Sequence, residues 1–125
     1  MKTAFCGDIC ELCPRFTATH SGDPARLDAV AELYRRLGWR DESVTPEELR
    51  CLGCTESPSC ILGVRECALE RDVDHCGVCG EYPCNRIAGA FELSARYEAL
   101  CRERSSPEEY ALLKKAFFEK KENLG

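Results

Sequence analysis

A chain of 125 residues, net charge −5, is one domain by length; its 44% hydrophobic fraction includes 11 cysteines, so the apolar interior is modest. Acidic side chains outnumber basic ones 22 to 17, which opposes the attraction behind most non-specific nucleic-acid binding and disfavours DNA or RNA as partner. No run approaches the roughly 20 apolar residues of a membrane-spanning helix, and Met1-Lys2-Thr3-Ala4-Phe5 meets Cys6 before any signal-peptide core. A cytoplasmic protein with no membrane partner is expected. Thiols stay reduced in that compartment, so the cysteines read as metal ligands before disulfides.

The cysteines form three clusters: Cys6, Cys10, Cys13; then Cys51, Cys54, Cys60, Cys67; then Cys76, Cys79, Cys84, with Cys101 alone. After the first cluster His20 falls in a polar loop without partners. Asp23-Pro24 then starts a helix, and Leu27, Val30, Ala31, Tyr34 and Leu37 recur at helical spacing until Gly38 ends it. Thr45-Pro46-Glu47-Glu48 is a capping box for a turn or two of helix running into Cys51. Leu62 to Arg71 predicts a short helix with Val64, Cys67 and Ala68 on one side. Asn85 to Arg104 predicts a second long helix, with Ile87, Phe91, Ala95 and Leu100 inward. Ser106-Pro107-Glu108-Glu109 opens a last helix whose apolar face, Tyr110, Leu113, Phe117 and Leu124, runs nearly to the end. Lys114-Lys115 and Lys120-Lys121 read as its solvated face.

Nowhere do apolar and polar residues alternate convincingly, so few or no strands are expected, at most a short ribbon beside a metal knuckle. The expected fold class is mostly α with irregular metal-stabilised loops. It forms a single cysteine-rich metal-binding domain over 1–125, with C-terminal helices over about 85–122.

Two thiolates separated by two residues can grip one tetrahedral ion, because the intervening backbone turns back and offers N–H groups to the sulfurs. Cys10-Glu11-Leu12-Cys13, Cys51-Leu52-Gly53-Cys54 and Cys76-Gly77-Val78-Cys79 have that spacing. Random placement would rarely yield three such pairs, so metal binding is the reading, with two zinc ions expected. Cys51, Cys54, Cys60 and Cys67 would make one locally closed site. Cys10 and Cys13 with Cys76 and Cys79 would make the other, leaving Cys6 and Cys84 as alternates or as thiols beside the ligands. Cys101 sits in a helical pattern and reads as an ordinary buried thiol. His75, next to Cys76, is expected to be exposed or to support a ligand.

Cys6, Cys10 and Cys13 also match the C-x3-C-x2-C spacing of radical S-adenosylmethionine enzymes, but the chain has no length for their partial barrel. Cys13-Pro14 and Pro83-Cys84 resemble ferredoxin neighbourhoods, which makes an iron–sulfur cluster the competing cofactor. No phosphate loop and no catalytic triad in recognisable spacing is present. Glu47-Glu48 and Glu108-Glu109 are explained by first helical turns.

The residues resemble a family of small cysteine-rich proteins, domain of unknown function 3795. The resemblance lies in Phe5-Cys6-Gly7-Asp8-Ile9-Cys10-Glu11-Leu12-Cys13-Pro14, in Cys51-Leu52-Gly53-Cys54, in Val64-Arg65-Glu66-Cys67-Ala68 and in Cys76-Gly77-Val78-Cys79-Gly80-Glu81-Tyr82-Pro83-Cys84, with Ala18-Thr19 and Trp39 in similar places. It covers about 5–90 and implies zinc held by these cysteines without an assigned activity. Gly63 stands where the family pattern often has a further cysteine after Cys60. The helices beyond Phe91 match the family poorly.

The expected role is binding of a partner protein or small molecule around structural zinc, leaning away from catalysis, since a closed four-thiolate site has no open coordination position. The alternatives are an iron–sulfur electron-transfer protein and a thiol-reactive redox sensor using Cys6, Cys60 or Cys84.

Overall fold

The computed structural model of the chain describes residues 3–53 and 63–125. Six α-helices are found among them: α1 (Pro14–Ser21), α2 (Pro24–Leu37), α3 (Arg65–Arg71), α4 (Asn85–Arg104), α5 (Pro107–Leu113) and α6 (Lys120–Leu124). Tight 3-10 turns occupy Cys10–Leu12, Glu47–Leu49 and Cys76–Val78, and a wide π-type turn occupies Lys114–Phe118. The expected mostly α class is what the structure has. Among the described residues there is no strand, only an isolated antiparallel bridge between Thr3 and Ile9 that brackets Cys6.

Helix α2 has the expected bounds. The Asp23 side chain accepts the Ala25 N–H at 3.0 Å, Pro24 occupies the first turn, and Gly38 closes the helix at φ 77°, a left-handed conformation suited to glycine. All five residues of its predicted apolar stripe are buried.

Helix α1 was not expected, and with it the reading of His20 as a loop residue is overturned. The sequence here is rich in Thr and Ser, which favour turns because their hydroxyls compete for backbone groups. In the fold those hydroxyls bond back within the helix, Thr19 Oγ1 to Arg15 O and Ser21 Oγ to Ala18 O, each at 2.7 Å. His20 lies in the last turn, its Nδ1 2.9 Å from Phe16 O and its ring stacked on Phe16 with centroids 4.0 Å apart.

Thr45 and Glu48 exchange their capping-box bonds, at 3.3 and 3.5 Å, around a 3-10 turn that ends at Leu49 rather than running into Cys51. Helix α3 begins at Arg65, and Leu62 lies outside the described residues. Helix α4 matches its expected span, with Ile87 buried and Phe91 and Leu100 packed half-buried against the clusters as expected, but Ala95 is exposed and Ala90, Ser94 and Cys101 complete the inward face. One residue is a 100° rotation, and the polar Ser94 takes the inward position because it has partners there: its hydroxyl donates to Phe117 O and accepts from Lys120 Nζ.

The C-terminal helix is not continuous. Its capping box forms, with Ser106 N–H to Glu109 Oε1 at 2.9 Å and Glu109 N–H to Ser106 Oγ at 3.2 Å. The helix then widens at Lys114–Phe118, which frees Phe117 O for the Ser94 hydroxyl and Ala116 O for the Ile9 N–H. Lys120 corrects the expectation of a solvated basic face. It is 5% exposed, and its Nζ lies 2.7 Å from Asp8 Oδ1, while Lys114, Lys115 and Lys121 face solvent.

Two buried clusters result. One gathers α2, Trp39, Val44, Leu49, Cys101 and Leu113, with Tyr97, Phe117 and Phe118 around the Trp39 ring. The other gathers Phe5, Cys6, Cys10, Val64, Ala68, Cys76, Ile87, Ala90 and Leu124. No helix among the described residues is long and apolar enough to cross a membrane.

Candidate metal centre

Four cysteines line one small pocket beside the second cluster. Cys67 comes from α3, Cys76 and Cys79 from the ends of a 3-10 turn, and Cys84 from the position capping α4. The turn is fixed by local bonds. Cys79 N–H donates to Cys76 O at 3.1 Å, and His75, half-buried, accepts the Gly77 N–H on Nδ1 at 3.0 Å, so its imidazole shapes the knuckle. Tyr82 N–H then donates to Cys79 O, the Tyr82–Pro83 bond is cis, and α4 starts by returning Ala88 N–H to Cys84 O. Outside the turn, Cys76 N–H donates to Phe5 O at 2.9 Å, which seats the knuckle on the amino-terminal segment.

The pocket holds about 20 Å³, the order of space that one water-sized species fills. Val64, Ala68, Val73 and Tyr82 complete its apolar lining, and Arg71, Glu81 and Arg86 bring charge to it. The Arg71 guanidinium donates to the Cys67 sulfur and pairs with Glu81 at 2.5 Å; these two contacts, the sulfur first, hold its pKa above the ordinary arginine value.

A second group of sulfurs lies around the start of α1. Cys13 N–H donates to Cys10 O at 3.0 Å across the Cys10–Leu12 turn. The Cys13 sulfur in turn faces the backbone N–H groups of Phe16 and Arg15, yet burial dominates and pushes its thiol up to about 11, with Asp8 and Cys51 nearby acting in the same direction. Cys51 is brought there by two long-range bonds. Thr19 Oγ1 accepts the Cys51 N–H at 3.0 Å, and Arg15 Nε donates to Leu49 O at 2.9 Å. Cys6 is buried and hydrogen-bonds to Asp8, whose carboxyl is raised by burial against the opposing pull of Lys120 and of that thiol. The Asp8–Lys120 contact is charge to charge rather than a well-aligned hydrogen bond at Oδ1.

Among the described residues the cysteines group across the clusters of the sequence. Cys67 lines a pocket with Cys76, Cys79 and Cys84, and Cys51 lies by Cys13. Cys54 and Cys60 fall outside the described residues. As they stand, no three Cys, His, Asp or Glu side chains among the described residues are gathered closely enough to hold one ion. Cys13, Cys67, Cys79, Cys84 and Cys101 carry free thiols, and Cys101 is fully buried in the aromatic cluster, in line with its reading as a packing residue. Arg71 and the Asp8–Lys120 pair were missed. Only the fold brings these charges to the cysteine loops, and no local pattern marks them.

The fold and its sulfur clusters define a small, α-helical, cysteine-rich protein. The family model described as Protein of unknown function (DUF3795) matches residues 2–89, and the chain belongs to that family. The match stops inside α4, so α5, the wide turn and α6 lie beyond it. No curated protein and no solved structure matches the chain.

Proposed function

We propose that the protein is a cytoplasmic binding module in which Cys67, Cys76, Cys79 and Cys84 hold a structural zinc ion. Cys6, Cys10, Cys13 and Cys51, with Cys54 and Cys60, supply ligands for a second. That four cysteines from three segments line one pocket of about 20 Å³ carries this reading. The donor set suits zinc, which favours four thiolates in tetrahedral array. A bound ion would supply a cross-link between α3, the Cys76–Val78 turn and the start of α4. The thiols line the pocket without closing to coordination distance, so a bound ion would have to draw them together, which couples metal uptake to folding. Arg71 would offset part of the negative charge of four thiolates and orient Cys67 through its hydrogen bond. Four sulfurs around one ion leave no open position, so the role is binding of a protein or small molecule rather than catalysis.

Elemental analysis of protein purified anaerobically tests the reading. Stoichiometric zinc in a colourless protein, with loss of helical circular dichroism on chelation, is expected. A brown protein with a broad visible band would replace zinc by an iron–sulfur cluster. Metal-free protein with unchanged dichroism would remove the proposal.

A further inference from the structure

The segment Lys114–Leu124, beyond the family-matched residues, lies across both cysteine loops at once. On the amino-terminal loop, Ile9 N–H donates to Ala116 O at 2.9 Å and Asn123 Nδ2 donates to Gly7 O at 2.9 Å. Lys120 inserts there, its Nζ at Asp8 Oδ1 and 2.9 Å from Ser94 Oγ. Both loops offer bare backbone to the segment. A Cβ on Gly7 would come within 2.6 Å of Lys120 O, and one on Gly77 would overlap Leu124 O. Gly77 has no positive φ, so it is the approach of Leu124, and not a turn, that requires glycine in the Cys76–Cys79 knuckle. Leu124 itself is buried in the cluster that holds Cys6, Cys10 and Cys76.

We infer that Lys114–Leu124 is a clamp whose release controls access to the sulfurs of Cys6, Cys10 and Cys76. A five-residue helix and a five-residue wide turn are too short to persist alone, so the segment is held by its anchors. The anchors act together. Withdrawing Lys120 leaves the buried Asp8 carboxylate without its counter-charge, which makes partial release unfavourable and favours two states, closed and open. Opening uncovers the amino-terminal loop and the Cys76–Val78 turn in one event and draws Phe117 and Phe118 off the Trp39 ring, while α2 and Cys101 stay packed. The clamp concerns access and not ligation, so metal content, measured separately, decides the zinc reading without deciding this one.

The test is the alkylation rate of each cysteine by iodoacetamide in the full-length protein as purified, without chelator, read by peptide mass spectrometry; a bound ion slows parent and variant alike, so their ratio reports access. Asn123→Ala removes one anchor, and Gly77→Ala pushes Leu124 away without touching the Asp8–Lys120 pair. In both variants Cys6, Cys10 and Cys76 are expected to react about ten-fold faster than in the parent, the size of effect that a weakened local closure produces. Cys101, buried in the other cluster, serves as internal reference and keeps its parent rate. Unchanged rates at Cys6, Cys10 and Cys76 overturn the clamp. So does an equal rise at Cys101, because the segment would then open only with the whole fold.

Discussion

The aromatic half of the molecule and the sulfur half are built on different principles. Around Trp39, large rings and aliphatic side chains from α2, the Glu47–Leu49 turn, α4 and α5 meet, and the indole Nε1 has its partner in Tyr97 O at 3.0 Å. Burial of such side chains yields about 1.5–3 kcal/mol each, and a handful of them can hold a small core. Around Cys76 the buried residues are mostly alanine, cysteine and valine, with Phe5, Ile87 and Leu124 as the bulky members. That half is held instead by backbone bonds between loops, by a buried ion pair and, on our proposal, by metal. A chain with little apolar mass concentrates it in one place and uses directional chemistry in the other.

The contrast can be broken or sharpened by experiment. Metal removal should have the largest effect, since structural zinc sites contribute on the order of 10 kcal/mol. Hydrogen exchange should show protection lost first at Phe5, Ala68 and Ile87, with Leu37 and Leu49 retaining theirs longer. Uniform loss would make the two halves one cooperative unit.

Next is Lys120→Met, which strands the Asp8 carboxylate and should cost about 3–5 kcal/mol in urea unfolding. Adding Asp8→Asn should restore most of that loss, and failure to do so would move the importance of Lys120 from charge to packing. In the aromatic half Leu37→Ala, at a fully buried site, should cost about 3 kcal/mol with no change in metal content.

The smallest effect is acid sensitivity at the Arg36–Glu109 pair, 2.7 Å apart. The Glu109 carboxyl is held below its usual 4.5, chiefly by the Arg36 hydrogen bond and then by the Ser106 N–H. Its folded pKa is depressed, so the stabilisation is present above pH 4.5 and is lost as pH falls through the folded value. The pair is half exposed, and a few tenths of a kcal/mol, absent in Glu109→Gln, is the expected size.

The sequence was most legible where structure is decided locally. The span of α2 follows from Asp23-Pro24 at one end and Gly38 at the other, and both capping boxes formed as their residues imply. It was less legible where a tertiary partner overrides local preference. Helix α1 has the composition of a turn, yet it is docked by Ala18 in the aromatic cluster and by the bonds of Thr19 and Arg15 to Cys51 N–H and Leu49 O. Ser94 displaces Ala95 from the buried face because Lys120 awaits it. The sulfur clusters were evident as clusters, but which sulfurs face which depends on how α3 and α4 fold back. Spacing along the chain carries no record of that.

Trp39 is the only indole in the chain, and it is packed wholly within the aromatic half. Its emission is therefore a partial witness: a fluorescence melt would trace the loosening of the rings around it and sense the cysteine loops only through Phe117 and Phe118, which the segment across those loops carries. Following both halves would take a second dye or label, placed on the far side, before any single transition temperature could be said to belong to the protein.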